Sequence, residues 1–135
     1  MLIMRKALLV IVGVLVGLLA PGVAHAETPP GCASAQQIGS TARVKFADDT
    51  TAASVKQFAR CGKNWGYVFV WADWASRHTL FHVTVAVTTD DGRAHGKDGG
   101  GLNDREAWSK ATSTIDRCTR ALGEDGWSSS TTRKC

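Results

Sequence analysis

The chain reads as mainly β: a small, disulfide-stabilised antiparallel sandwich or barrel-like domain, with room for one C-terminal helix. Three observations predict it. Residues 65–88 carry two runs rich in Val, Phe and Trp with the two-residue alternation of strands. Polar breaks, above all Asp90-Asp91-Gly92, divide such runs with hairpin-turn chemistry. Four cysteines, Cys32, Cys61, Cys118 and Cys135, stand in a chain of 135 residues, the even count of a disulfide framework.

The first 26 residues are set apart from that domain. Arg5 and Lys6 precede Ala7–Ala20, a run of 14 residues drawn only from Ala, Leu, Val, Ile and Gly. A membrane-spanning helix needs about 20 apolar residues, so this run is short for a span and suits a signal peptide. Pro21 and Gly22 break it, and Ala24-His25-Ala26 offers the small-x-small pattern that signal peptidase cuts. Cleavage after Ala26 predicts a secreted, extracellular protein of one β-rich domain, residues 27–135, with no membrane attachment once the leader is gone.

Thr28-Pro29-Pro30 then makes an extended segment, mobile until Cys32 pins it. Ala42, Val44 and Phe46 alternate with Arg43 and Lys45, a half-buried strand closed by Asp48-Asp49-Thr50-Thr51. Ala52–Arg60 sets Ala52, Val55, Phe58 and Ala59 at helical spacing, but it is short and leads into strand-like sequence, so it is assigned as a strand ending at Gly62. Trp65–Trp74 is the clearest element. Tyr67, Phe69 and Trp71 share one face and Val68, Val70, Ala72 and Trp74 the other, the mark of a strand covered on both sides. Past a break at Ser76-Arg77, Phe81, Val83, Val85 and Val87 alternate with His82, Thr84, Ala86 and Thr88, apolar on one side only.

Arg93–Asn103, with Gly99-Gly100-Gly101, reads as a loop, because consecutive glycines lose much backbone entropy on ordering. Residues 104–122 stay open between helix and strand. Trp108, Ala111, Ile115, Cys118 and Leu122 fit one helical face with Gly123 as its cap, while Thr112, Ser113 and Thr114 are poor helix interiors. Ser128–Arg133 is polar and is held mainly by Cys135.

All five tryptophans lie beyond residue 26, and they are expected to supply much of the core. Two of the 16 Lys and Arg go with the leader, leaving 14 against 12 acids, a net +2. The basic residues are scattered, without the patch that phosphate neutralisation requires, so nucleic acid is excluded as a partner. The four cysteines allow three connectivities. Cys32–Cys61 and Cys118–Cys135 are favoured, since each brackets one continuous segment and would contribute roughly 3 kcal/mol. A four-cysteine zinc site lacks any C-x-x-C spacing, and no cofactor or metal is expected.

Gly31-Cys32 near the start, followed by a strand and then Cys61-Gly62-Lys63-Asn64-Trp65, resembles a group of small secreted actinobacterial proteins gathered as a domain of unknown function. The likeness covers residues 31–74 and fades beyond them. The chain departs from the pattern at Ala59, near the usual Ser, and at Lys63, where Thr is common. The resemblance implies a compact β-rich fold and the Cys32–Cys61 pairing. It brings no activity.

Candidate chemistry is sparse. His78 and His82 are four apart, but the zinc-protease H-E-x-x-H motif needs a helix and a Glu, and on a strand the two would sit about 13 Å apart. Asp90, Asp91 and Asp98 with His95 lack calcium-loop spacing and suit turns. Gly99–Gly101 matches no phosphate-cradling pattern, and Ser109, Ser113 and Ser128–Ser130 lack a nucleophile elbow, so no catalytic residue is assigned. Two surfaces remain. One is the loop carrying Arg93, His95, Lys97 and Asp98, a contact candidate because exposed loops in small scaffolds carry contacts. The other is the aromatic set Tyr67, Phe69 and Trp71, which would form a platform if exposed and a core if covered. The leading expectation is a non-enzymatic extracellular module that binds a protein or a cell-envelope component. The alternative is a small secreted hydrolase using His78, His82 or His95 with a nearby Asp.

Overall fold

A computed structural model of the chain describes residues 27–46 and 48–135. Residues 1–26, read above as a signal peptide, lie outside the described residues. The elements run in the order β1 (Gln36–Lys45), β2 (Thr51–Arg60), β3 (Lys63–Val70), α1 (Ala72–Arg77), β4 (Thr84–Thr89), β5 (Ala94–Gly99), β6 (Glu106–Trp108), β7 (Thr119–Glu124) and β8 (Ser128–Ser130). They build two antiparallel four-stranded sheets. The first has the order β1-β2-β3-β6 and the second β5-β4-β7-β8. Both sheets are open at their edges, so the molecule is a disulfide-stabilised β-sandwich rather than a barrel.

The registers explain the layers. Val55 lies opposite Val68, and Ala53 opposite Val70, in the β2–β3 ladder. Val85 and Val87 lie opposite Gly123 and Ala121 in the β4–β7 ladder. Because successive side chains point to opposite faces of a strand, Ala53, Val55, Val68, Val70, Val85 and Ala121 meet between the sheets, joined by Val44, Val83 and Ala107 in one buried core. The other face of the first sheet has its own cluster of Cys32, Phe58, Trp65 and Tyr67, with Phe69 and Trp108 against it. Of the strand expected over Trp65–Trp74, Trp65–Val68 is covered on both sides while Phe69 is only half-buried, and Phe81, Val83, Val85 and Val87 are buried as their alternation predicts.

Both favoured disulfides form, Cys32–Cys61 and Cys118–Cys135. Ala52–Arg60 is a strand, and the strand read from Ala42 begins earlier, at Gln36. Asp90-Asp91-Gly92 makes the β4–β5 turn, with the Gly92 N–H donating to Thr89 O at 2.9 Å.

Several expectations are corrected. The strand read as Trp65–Trp74 stops at Val70. The Trp71 N–H still donates to Ala52 O, but Ala75 N–H donates to Trp71 O and starts helix α1. Asp73 in its first turn and Arg77 in its last complement the helix dipole. The helix turns Trp74 inward, where its ring meets those of Phe46, His78 and Phe81 at 6.3, 4.0 and 5.4 Å between centroids. Arg93–Asn103 is not all loop: β5 pairs with β4 as an edge strand, accommodating Gly96 at φ +62 through a register shift between Val85 and Val87. An edge strand needs one ladder and no apolar face, so its polar composition hid it.

There is no C-terminal helix. Residues 104–122 contribute β6 and the start of β7, and Gly123 lies within β7 rather than capping a helix. The segment 128–133 is held by more than Cys135, because β8 pairs with β7 and buried Thr131 accepts the Ala121 N–H at 2.9 Å. The N-terminal segment is likewise docked: Pro29 is fully buried, and the Lys56 ammonium donates to both Glu27 carboxylate oxygens at 2.8 Å.

Candidate functional site

The aromatic set forms the outer face of the first sheet. Pairing puts Tyr67 beside Trp108 and Lys56, and Phe69 beside Glu106 and Ser54. The Tyr67 and Trp108 rings are 4.4 Å apart, and Phe58 packs on both. Exposure is graded along β3. Tyr67 is 1% exposed, Phe69 is half-buried, and Trp71 reaches 36%. The gradient follows the described part of the N-terminal segment, which runs from Cys32 in the aromatic cluster to Glu27 on Lys56. A groove of about 230 Å³ opens there, lined by Glu27, Tyr67, Phe69 and Glu106. Of the three aromatic candidates, Tyr67 is therefore core, while Phe69 and Trp71 present surface.

These two rings are held in place. The Trp71 indole N–H donates to Ser54 Oγ at 2.9 Å, and the Arg43 guanidinium stands 5.5 Å from the ring centroid. The Arg105 guanidinium lies 5.0 Å over Phe69, while its Nε donates to Val70 O at 2.9 Å. The Tyr67 hydroxyl donates to Glu106 at 2.6 Å. Burial, then that carboxylate, pushes the phenol well above the usual tyrosine range. Alternation had already set Arg43 apart from Ala42 and Val44. Nothing local in the sequence pointed to Glu27, Lys56 or Arg105.

The contact loop divides. Arg93 and His95 come together on a polar cavity of about 520 Å³, facing Thr112, Ser113, Thr114 and Arg117. Lys97 and Asp98 are exposed on β5 outside that cavity. His95 Nε2 is 2.9 Å from Thr89 Oγ1, whose proton goes to Asp91 Oδ1 at 2.5 Å. The Thr89 hydroxyl, then the Arg93 N–H, holds the Asp91 carboxyl below the usual range. The carboxylate is thus on the threonine, not on the imidazole, and Thr89 is buried. This orders the hairpin turn and differs from an activated nucleophile, where the base takes the nucleophile's proton and a third group orients the base. Arg117 carried no local signal. It is placed by the adjoining Cys118–Cys135 bond.

The other histidines do not share a strand. His78 follows α1, its Nδ1 2.8 Å from Trp74 O, and His82 precedes β4; both are exposed. His78 does share a cavity of about 350 Å³ with Asp48, but Asp48 accepts from the Thr50 hydroxyl at 2.6 Å and from the Thr50 N–H at 3.1 Å. Asp90 is held by Arg133 in a two-pronged ion pair, with contacts of 2.5 and 2.9 Å. Asp98 accepts the Gly99 N–H at 2.9 Å, and the Gly101 N–H donates to Asp104. Among the described residues, no three His, Cys, Asp or Glu side chains converge as a metal site, and no helix is long and apolar enough to cross a membrane. No family model, curated protein or solved structure matches the chain, so these surfaces are what its function is read from.

Proposed function

We propose that this is an exported, non-enzymatic binding module whose contact surface is the open end of the outer aromatic face, centred on Trp71 and Phe69. The observation that carries the reading is Trp71: a large ring, partly open to solvent, yet fixed by Ser54 and Arg43. Trp, Phe, Tyr and Arg are the side chains enriched at protein interfaces and their hot spots. Rings already held in one conformation lose little entropy on binding. The two disulfides fit an oxidising compartment, in keeping with the leader and with the resemblance to small secreted proteins. The partner is then an extracellular protein or a component of the cell envelope.

The test is binding of labelled protein, starting at Glu27, to isolated envelopes and to culture-filtrate proteins of the producing bacterium. Trp71→Ala and Phe69→Ser are compared with Leu102→Ser, which removes an apolar side chain that is 62% exposed elsewhere. Loss of a hot-spot tryptophan should weaken saturable binding about tenfold or more, by the ~2 kcal/mol such positions carry. The control should bind as wild type, and every variant should keep the far-ultraviolet β signal of the folded domain, Phe69→Ser at a lower melting temperature because Phe69 packs on the buried aromatic cluster. Equal binding by Trp71→Ala, or no saturable binding to either fraction, would overturn the proposal.

A further inference from the structure

We infer that the cavity between the β4–β5 hairpin and residues 111–117 is an oxyanion site that takes a phosphate group, esterified or free. It is independent of the aromatic face. Two guanidiniums, Arg93 and Arg117, line it with the hydroxyl residues Thr112, Ser113 and Thr114. The Arg117 backbone N–H donates to Thr114 O at 3.0 Å, whereas its guanidinium makes no hydrogen bond or ion pair among the described residues and meets only the through-space pull of Asp91. The facing carboxylate is Asp91, and it is largely engaged. Its Oδ1 accepts from the Thr89 hydroxyl at 2.5 Å and from the Arg93 N–H at 3.1 Å, while Oδ2 is 3.8 Å from Arg93 Nε in an exposed pair. Exposed pairs of that kind are weak, which leaves Arg93 able to turn to a ligand. The neighbouring Asp90 is taken by Arg133.

Of the three hydroxyls, that of Ser113 is the one available to an anion, since the Thr112 and Thr114 protons are spent on Asn64 O and on each other. Lys63 Nζ donates to Ser113 Oγ at 2.6 Å, which adds a third cation behind the wall and leaves the Ser113 proton free to donate into the cavity. Thr112 and Thr114 bond each other at 2.8 Å and are tied to Asn64, which fixes the backbone that carries Ser113. Guanidinium forks match phosphate oxygens in pairs and hold them with charge-assisted bonds. The volume, about 520 Å³, falls within the range of small-molecule sites and leaves room for a sugar or alcohol beside the phosphate. One compact cavity differs from the extended basic patch of a nucleic-acid surface.

The experiment is an amide NMR titration of the protein starting at Glu27, at fixed ionic strength, with inorganic phosphate, with glycerol phosphate and with chloride alone. The expected result is saturable shifts confined to residues 93–96 and 111–117, with no such shifts in chloride. Arg117→Gln should weaken phosphate binding about tenfold or more, the scale of one charge-assisted contact, with the rest of the spectrum unchanged. Arg133→Gln, whose guanidinium is on Asp90, and Trp71→Ala should bind as wild type. Tighter binding of glycerol phosphate than of phosphate would identify an esterified source, and equal binding a free anion. Non-saturating shifts, shifts spread over all basic residues, or unchanged binding by Arg117→Gln would overturn the site without touching the aromatic-face proposal.

Discussion

Tyr67 is the one tyrosine of the chain, and it stands where the outer face turns from core to surface. With its phenol pushed up by burial and by Glu106, the folded protein keeps a proton that the unfolded chain releases near pH ~10. The sign follows by linkage. This contribution to stability is complete below the unfolded value and is lost as pH rises above it. Alkaline titration followed by near-ultraviolet absorbance should therefore show no tyrosinate step in the folded protein near pH ~10. Ionisation should coincide with loss of the far-ultraviolet β signal. A separate, ordinary phenol step before unfolding would show that Tyr67 is not held as described. Alternation alone placed Tyr67, Phe69 and Trp71 on one face. It could not grade their exposure, because the covering groups, Glu27, Cys32 and Trp108, come from distant parts of the chain. Trp71, the ring left open, is where substitution should cost binding rather than stability. Arg117 is its counterpart in the anion cavity.

At the scale of elements, two glycines mark where the sheets are closely apposed. A Cβ on Gly123 of β7 would stand 2.7 Å from a Val68 methyl and 2.8 Å from a Val55 methyl. On Gly66 of β3 it would meet a Val85 methyl at 2.7 Å and the Ala86 carbonyl at 2.9 Å. Gly123→Ala should thus destabilise by about 1–3 kcal/mol through overpacking, read as a lower denaturation midpoint at unchanged slope. A midpoint equal to wild type would mean that the sheets are less tightly apposed than this. The same residue shows why the C-terminal third was hard to read. Gly after a helical apolar pattern resembles a cap, yet here it is the thin point that lets β7 lie on Val55 and Val68. Ala72 and Trp74 similarly continue the parity of Val68 and Val70, and only the bond from Ala75 N–H to Trp71 O separates helix from strand. By contrast, Val83, Val85 and Val87 were legible, since their valines recur at every second position and turn one way, even though small Ala86 on the opposite face is buried too.

For the molecule as a whole, the cysteines carried the most reliable information. Each bond pins a segment whose own core is thin: Cys32 holds the N-terminal strap to Cys61 beside the aromatic cluster, and Cys135 holds the residues after β8 to Cys118. For separations of 29 and 17 residues, loop-closure entropy assigns each roughly 3–4 kcal/mol. Cys32→Ser with Cys61→Ser should lower stability by about that amount in a denaturant titration. It should also raise tryptophan exposure to quenchers, as the strap loosens from Phe58 and Trp65. Unchanged stability would show that Pro29 and the Glu27–Lys56 pair hold the strap unaided. The cavity of Arg93 and Arg117 escaped notice because its walls belong to two stretches that become neighbours only when the sandwich closes.

The placement of β6 bears on how the chain reaches this state. The first sheet is begun by β1, β2 and β3, and its fourth strand arrives only after α1, β4 and β5, when Trp108 comes to lie opposite Tyr67. Closing so long a loop before its contacts form is an entropic barrier, and chains rich in such distant pairings fold in milliseconds to seconds rather than microseconds. Until β6 docks, the β3 edge and the Tyr67 ring that Trp108 will cover stay open, so the pairing that completes the first sheet is also the one that closes Tyr67 into its core.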